Sequence, residues 1–216
     1  MNAKKSYAVL GLGRYGIAVA TELVQNGAEV LAVDINKDII NDAIGQIPIC
    51  KCADITDDEV LKQLGISNID VVIIAMANHM EASVMATMLC KELGVKTVIA
   101  KCSNEMNCKI LSKVGADHVV FPESESGTRL AKNLLSHGFI DIIELSKDVS
   151  MVELDVRDEW VNKNLLELKL RQKYSINVVA IIQNNNVCVT IDPKQPLEKN
   201  MKLIVIANAS KLNKLK

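Results

Sequence analysis

The sequence predicts an α/β protein, a doubly wound parallel sheet followed by a small α+β unit. Three observations predict it. Short apolar runs alternate with amphipathic helical patterns along the first two-thirds of the chain. A glycine-rich turn, Gly11-Leu12-Gly13-Arg14-Tyr15-Gly16, joins the first apolar run to the first helical pattern. After about Ser146 the rhythm changes to alternating strands separated by turn residues.

The elements follow in order. Strand-like runs span Tyr7–Leu12, Glu29–Asp34, Pro48–Cys52, Val71–Ala75, Thr97–Ala100 and His118–Phe121. Between and after them lie helical patterns at Tyr15–Asn26, Lys37–Ile44, Asp57–Leu64, Glu81–Leu93, Asn104–Val114 and Ser126–Ser136. Most stop at a glycine, as helix ends commonly do. Strands that alternate with helices imply parallel pairing through right-handed crossovers. In the last third, Ser150–Val156, Ile176–Ile182, Val187–Ile191 and Leu203–Ala207 read as strands, and Leu165–Lys173 reads as a helix. Asn184-Asn185-Asn186 reads as a hairpin turn, because Asn tolerates left-handed backbone angles. The expected division is a nucleotide-binding domain at 1–137, a crossover linker at 138–148, and a C-terminal ligand-binding subdomain at 149–216.

Composition narrows the class. Of 216 residues, 49% are hydrophobic but only 3% are aromatic. The core must therefore be built from Ile, Val, Leu, Ala and Met, as in buried parallel sheets. A formal net charge of −1 offers no basic face for nucleic acid. The longest apolar run, Val71 to Ala77, has strand length and falls well short of the roughly 18–20 residues that cross a bilayer. The first residues lead directly into a strand and glycine loop rather than a signal-peptide core, so a soluble cytoplasmic protein is expected. The six cysteines, Cys50, Cys52, Cys90, Cys102, Cys108 and Cys188, are then expected to stay reduced. Cys50 and Cys52 share one strand face, but no second ligand pair at a familiar metal spacing accompanies them.

The glycine loop carries the chemistry. Its first glycine permits a tight turn out of the strand, the second lets backbone approach a phosphate, and the third lets the helix pack on the sheet. Phosphate oxygens then meet the free N–H groups of the helix start. An acid, Asp34, ends the second strand about twenty residues later, which completes the Rossmann-type fingerprint. Asp34 should accept hydrogen bonds from ribose hydroxyls and would repel a 2′-phosphate. Asn36 is placed to add a ribose or base contact. Asp54 follows the third strand near the expected adenine edge, or serves as an acid before a helix start. Arg14 inside the loop suits a ligand rich in phosphate charge, or is a solvated residue of the helix start. Lys101, at the carboxyl end of the fifth strand, points to the same crevice. Tyr15 and Ala75 complete the candidate contacts.

An oxidoreductase needs a substrate-holding domain and an acid–base group facing the reactive ring. The segment beyond the nucleotide unit is too small and too rich in strands for that. No nucleophile motif or clustered His/Asp pair appears. Binding without chemistry, and hence no enzyme, is the expectation.

Longer stretches carry a family resemblance. They are Gly-Leu-Gly-Arg-Tyr-Gly (11–16), Leu-Ala-Val-Asp-Ile-Asn (31–36), Ala-Asp-Ile-Thr-Asp (53–57), Lys-Glu-Leu-Gly (91–94) and Val-Gly-Ala-Asp-His-Val-Val-Phe-Pro-Glu (114–123). They resemble the RCK (KTN) regulators of bacterial potassium transporters of the Ktr/Trk family, the KtrA-type cytosolic subunits above all. Residues 170–181 are similar to the C-terminal RCK subdomain. The resemblance implies dimers assembling into an octameric ring that docks on a membrane-embedded potassium-translocating subunit. It places the chain in the cytoplasm, peripheral to the inner face of the membrane. It implies that ATP activates and ADP inactivates, with Arg14 meeting the γ-phosphate across the dimer interface. Glu123 matches a carboxylate that helps bind a divalent or monovalent cation near the phosphates, although Pro122-Glu123 also reads as a helix start. In relatives the C-terminal subdomain binds cyclic di-AMP, and Leu165, Leu166 and Arg171 occupy the matching places; the two leucines equally read as plain core. The Trk-type alternative is an NAD(H)-binding regulator, which the loop and Asp34 also permit. A small NAD-dependent oxidoreductase is the remaining rival.

Overall fold

A computed structural model describes residues 5–135, 139–146 and 148–208. The chain divides into two compact units, 1–124 and 125–216.

The first unit is built on six parallel strands: β1 (Ser6–Leu10), β2 (Glu29–Asp34), β3 (Ile49–Cys52), β4 (Val71–Ile74), β5 (Thr97–Lys101) and β6 (His118–Val120). Their spatial order is β3-β2-β1-β4-β5-β6, the expected doubly wound topology. The helices are α1 (Arg14–Gln25), α2 (Lys37–Ala43), α3 (Asp58–Gln63), α4 (Met80–Glu92) and α5 (Glu105–Val114), and α6 (Pro122–Leu135) begins at its end. A strand covered on both faces cannot alternate apolar with polar, which explains the continuous Val-Val-Ile-Ile of β4. Ala8, Leu10, Val72, Ile74, Val98 and Ala100 pack into the core on one face. Val9, Val30, Ala32, Val71 and Ile73 belong to a second core.

Helix starts follow local chemistry. Asn36 accepts the Asp38 N–H at 2.9 Å and caps α2. Asp57 accepts from Glu59 and Val60 and caps α3. Asn104 accepts the Asn107 N–H at 2.8 Å and caps α5. By contrast α1 begins at Gly13 with no side-chain cap and no acid in its first turn.

The second unit holds an antiparallel sheet of order β10-β9-β11-β8-β7. Its strands are β7 (Phe139–Glu144), β8 (Val149–Asp155), β9 (Ile176–Gln183), β10 (Asn186–Cys188) and β11 (Lys202–Asn208). Val152, Leu154, Leu203 and Val205 line one face and pack with Trp160 and Leu197. β9 and β10 are joined through Asn184 and Asn185, whose φ angles are +51° and +62°. Two left-handed residues make the turn whose twist suits a hairpin.

Several expectations change. The stretch expected to be a linker at 138–148 contains β7, which pairs with β8, and the compact units part after Ser124. The last helix of the first half starts at Pro122, as the Pro122-Glu123 pair reads, and four residues before the periodic run from Ser126, because proline at a helix start loses no hydrogen bond. The helix expected at Leu165–Lys173 is two short ones, α7 (Leu165–Leu168) and α8 (Leu170–Tyr174). Lys169 between them has φ +48°, which breaks the helical run. The expected helix terminus at Ser136 lies outside the described residues.

Candidate nucleotide site

The candidate residues of the first unit come from the carboxyl ends of all six strands. That edge is where open α/β sheets bind ligands, beside the point at which strand order reverses. Here the reversal lies between β1 and β4.

The glycine loop follows β1. Gly11 has φ +93°, and its N–H bonds the Val33 carbonyl at 2.8 Å. A Cβ at Gly16 would collide with the Gly11 carbonyl, so only glycine lets α1 pass this close to the loop. A Cβ at Gly13 would meet nothing within 4 Å. Open space above an uncapped helix start is the surrounding a phosphate needs. Arg14 is exposed at that start and forms no ion pair among the described residues.

Asp34 ends β2. Its Oδ2 accepts the Leu12 N–H at 2.7 Å, and its Oδ1 accepts the Asn36 N–H at 2.8 Å. The carboxylate is thereby locked against the glycine loop. Each oxygen keeps lone pairs for a further donor. The Asn36 side-chain oxygen caps α2, and its amide N–H groups keep their donor capacity for the expected ribose or base contact. Ala75 is buried, and its N–H bonds the Leu10 carbonyl at 2.8 Å. Asp54, exposed past β3, accepts the Thr56 N–H at 2.9 Å and the Thr56 hydroxyl at 2.7 Å. The backbone bond first, then the hydroxyl, holds its carboxyl below the usual range. Asp57, not Asp54, is the helix-capping acid.

Across the crevice, Lys101 ends β5 and Glu123 lies in the first turn of α6. Lys101 Nζ donates to Glu123 Oε1 at 2.6 Å. The ammonium also stands 5.5 Å from the Tyr15 ring centroid, within cation–π range. Lys101 is 14% exposed and Glu123 62%. The Lys101 hydrogen bond is the main reason that the Glu123 carboxyl lies below its ordinary value. All three residues are candidates in the sequence, but their contact arises only in the fold. Among the described residues no group of three or more His, Cys, Asp or Glu side chains is placed to hold a metal ion.

The cysteines also depart from expectation. Cys102 and Cys108 are joined as a disulfide, with Cα atoms 5.2 Å apart. The pair lies immediately after Lys101. A strand-end cysteine followed six residues later by one on the next helix was the available signal.

In the second unit, Leu165 packs against the core while Leu166 is 54% exposed. Arg171 is exposed on α8. The three candidates are therefore split between core and surface.

Among the described residues no helix is long and apolar enough to cross a membrane. The TrkA-N domain matches residues 7–122 and the TrkA-C domain residues 149–216. The chain is 38% identical over 98% of its length to Ktr system potassium uptake protein C of Bacillus subtilis (strain 168), covering 96% of that protein. It is 35% identical, again over 98%, to Ktr system potassium uptake protein A of Vibrio alginolyticus, covering 97% of it. Among solved structures, GsuK bound to ADP is 25% identical over 62% of this chain, with a TM-score of 0.50, and the match spans 34% of that longer chain. With both family domains in order over most of its length, the chain belongs to the TrkA-N/TrkA-C family that includes the Ktr system potassium uptake proteins.

Proposed function

We propose that this chain is a cytosolic regulatory subunit that senses adenine nucleotides for a membrane-embedded potassium-translocating partner of the Ktr type. The observation that carries it is Asp34, held by the Leu12 N–H against the phosphate loop. A strand-end carboxylate held against a glycine loop supports the reading of a ribose acceptor beside a phosphate cradle. The two relatives named above are potassium uptake proteins, and GsuK offers an ADP-bound precedent for the fold. The chain works by binding, not turnover.

ATP and ADP differ only in the γ-phosphate, so only contacts to that group bias two states of an assembly differently. Arg14 is the exposed cation of the loop and supplies that contact, from its own chain or a neighbouring one in a dimer-built ring. Glu123 contributes one carboxylate to a cation near the phosphates. One carboxylate is no metal site, so phosphate oxygens and a second copy must complete it. A coupling of about 1–3 kcal/mol per site is enough for a cooperative ring to switch. In the second unit, exposed Leu166 and Arg171 remain the contacts for cyclic di-AMP, while Leu165 serves the core.

Calorimetric titration with ATP, ADP, NADH and NADPH tests the reading. ATP and ADP should bind, and NADPH should be rejected by the Asp34 charge. Tighter binding of NADH than of either adenine nucleotide would favour the NAD(H)-regulator alternative. In Arg14→Ala, ATP should lose more affinity than ADP; equal losses would remove Arg14 from the γ-phosphate.

A further inference from the structure

The Cys102–Cys108 pair stands apart from the other thiols. Cys90 is buried in the core, where desolvation pushes its thiol up to about 12, so it stays protonated and inert. Burial also raises the Cys50 thiol. Cys52 and Cys188 are exposed, and their sulfurs point to the carbonyls of Ile35 and Thr190. Only Cys102 and Cys108 face each other.

Their surroundings join them to the nucleotide crevice. Cys102 is 1% exposed and follows Lys101 directly. Its N–H bonds the Val120 carbonyl at 2.9 Å, three residues before Glu123. Cys108 is half-buried near the start of α5. The intervening loop is tied internally, since Asn104 caps Asn107 and Asn107 donates to Ser103 at 3.1 Å. A Cα separation of 5.2 Å lies within the range that a disulfide spans without backbone movement. Opening the bond therefore requires no backbone displacement and frees the motion of α5 relative to the end of β5.

We propose that Cys102 and Cys108 form a reversible thiol–disulfide site that sets how tightly Lys101 is held on Glu123. The oxidant is hydrogen peroxide, and the more accessible Cys108 reacts first. Its sulfur attacks one peroxide oxygen, the O–O bond breaks, and water leaves with the thiol proton, giving a sulfenic acid. The Cys102 sulfur then attacks the Cys108 sulfur. The S–O bond breaks, and the oxygen departs as a second water carrying the Cys102 proton. Two thiols and one peroxide give one disulfide and two waters, and two electrons pass from sulfur to oxygen. A dithiol reductant reverses the reaction by exchange. In a reducing compartment such a bond is transient and informative rather than structural. When closed, it staples α5 to the end of β5 and keeps Lys101 with Glu123 and Tyr15, away from a phosphate. The effect on nucleotide affinity rests on the function proposed above; the disulfide itself does not.

The test uses the full chain under dithiothreitol and then stoichiometric peroxide. Intact and peptide mass spectrometry should show a loss of two hydrogens, localised to Cys102–Cys108 and restored by dithiothreitol. Amide exchange at residues 99–108 should slow on oxidation, and ADP should bind at least threefold more weakly. Both changes should vanish in Cys108→Ser, and in Cys102→Ala as the second variant. Absence of the cross-link, a bond that dithiothreitol leaves intact in the folded protein, or equal exchange in both states overturns the proposal. ADP binding of equal strength in the two states overturns its link to the crevice. Absence of ADP binding in either state counts against the nucleotide reading alone, and the mass and exchange results still decide this one.

Discussion

Asp34 receives two backbone N–H groups, one on each oxygen, and so has a structural part of its own in the glycine loop. Hydrogen bonds to a charged group contribute about 1.5–3 kcal/mol each. Asp34→Ala should therefore lower ADP affinity at least ~tenfold by calorimetry and loosen the glycine loop as well. Gly16 is the second decisive residue. A methyl group there meets the Gly11 carbonyl, which is backbone and has nowhere to go. Gly16→Ala should cost about 1–3 kcal/mol of stability in urea titration, as overpacking does, together with a weakened nucleotide complex. Gly13 has open space instead. Gly13→Ala should fold normally, and its loss should appear only in nucleotide binding.

At the scale of elements, the parallel strands are held at their ends as well as along their ladders. Asp117 leads into β6 and shows this best. Its carboxylate accepts the Val98 N–H of β5 at 2.7 Å and pairs with Lys91 of α4 at 2.9 Å. The Val98 bond first, with help from Lys91, keeps its carboxyl below the ordinary 3.8. The sign follows from linkage: a depressed folded value stabilises the fold above the unfolded value and is lost as pH falls through the folded one. Urea midpoints measured from about pH 7 down to about pH 3 should therefore fall more steeply for the natural protein than for Asp117→Asn. The variant keeps an acceptor for Val98 but has no charge to titrate.

At the scale of the whole molecule, the two units have separate cores. The single tryptophan, Trp160, is buried in the second. A ligand at about 100 times its dissociation constant adds about 2.7 kcal/mol to whatever unfolds with its site. ADP should therefore raise the melting transition followed by far-ultraviolet circular dichroism. The Trp160 fluorescence transition should move less.

Much of this was readable before folding. The apolar runs of β1 and β4, the glycine at each helix end, and the interval from Gly11 to Asp34 are local periodicities and spacings, and these are what a linear sequence displays. The Asn184-Asn185 turn was likewise written in residue type, because few residues other than Asn and Gly accept its backbone angles. β7 was hidden, since an edge strand is defined by its partner β8 and not by its own pattern. The break at Lys169 was hidden because no glycine or proline marks it.

The α/β class, the glycine loop, the acid that ends β2 and the family were all legible in the order of residues along the chain. Tertiary structure alone decided that Asn36 caps a helix, that Lys101 rests on Glu123 and Tyr15, and that Cys102 faces Cys108. The physical reason is range. Periodicity and turn chemistry act between neighbours in sequence, whereas an ion pair 22 residues apart in sequence exists only once the sheet has set its strand ends side by side.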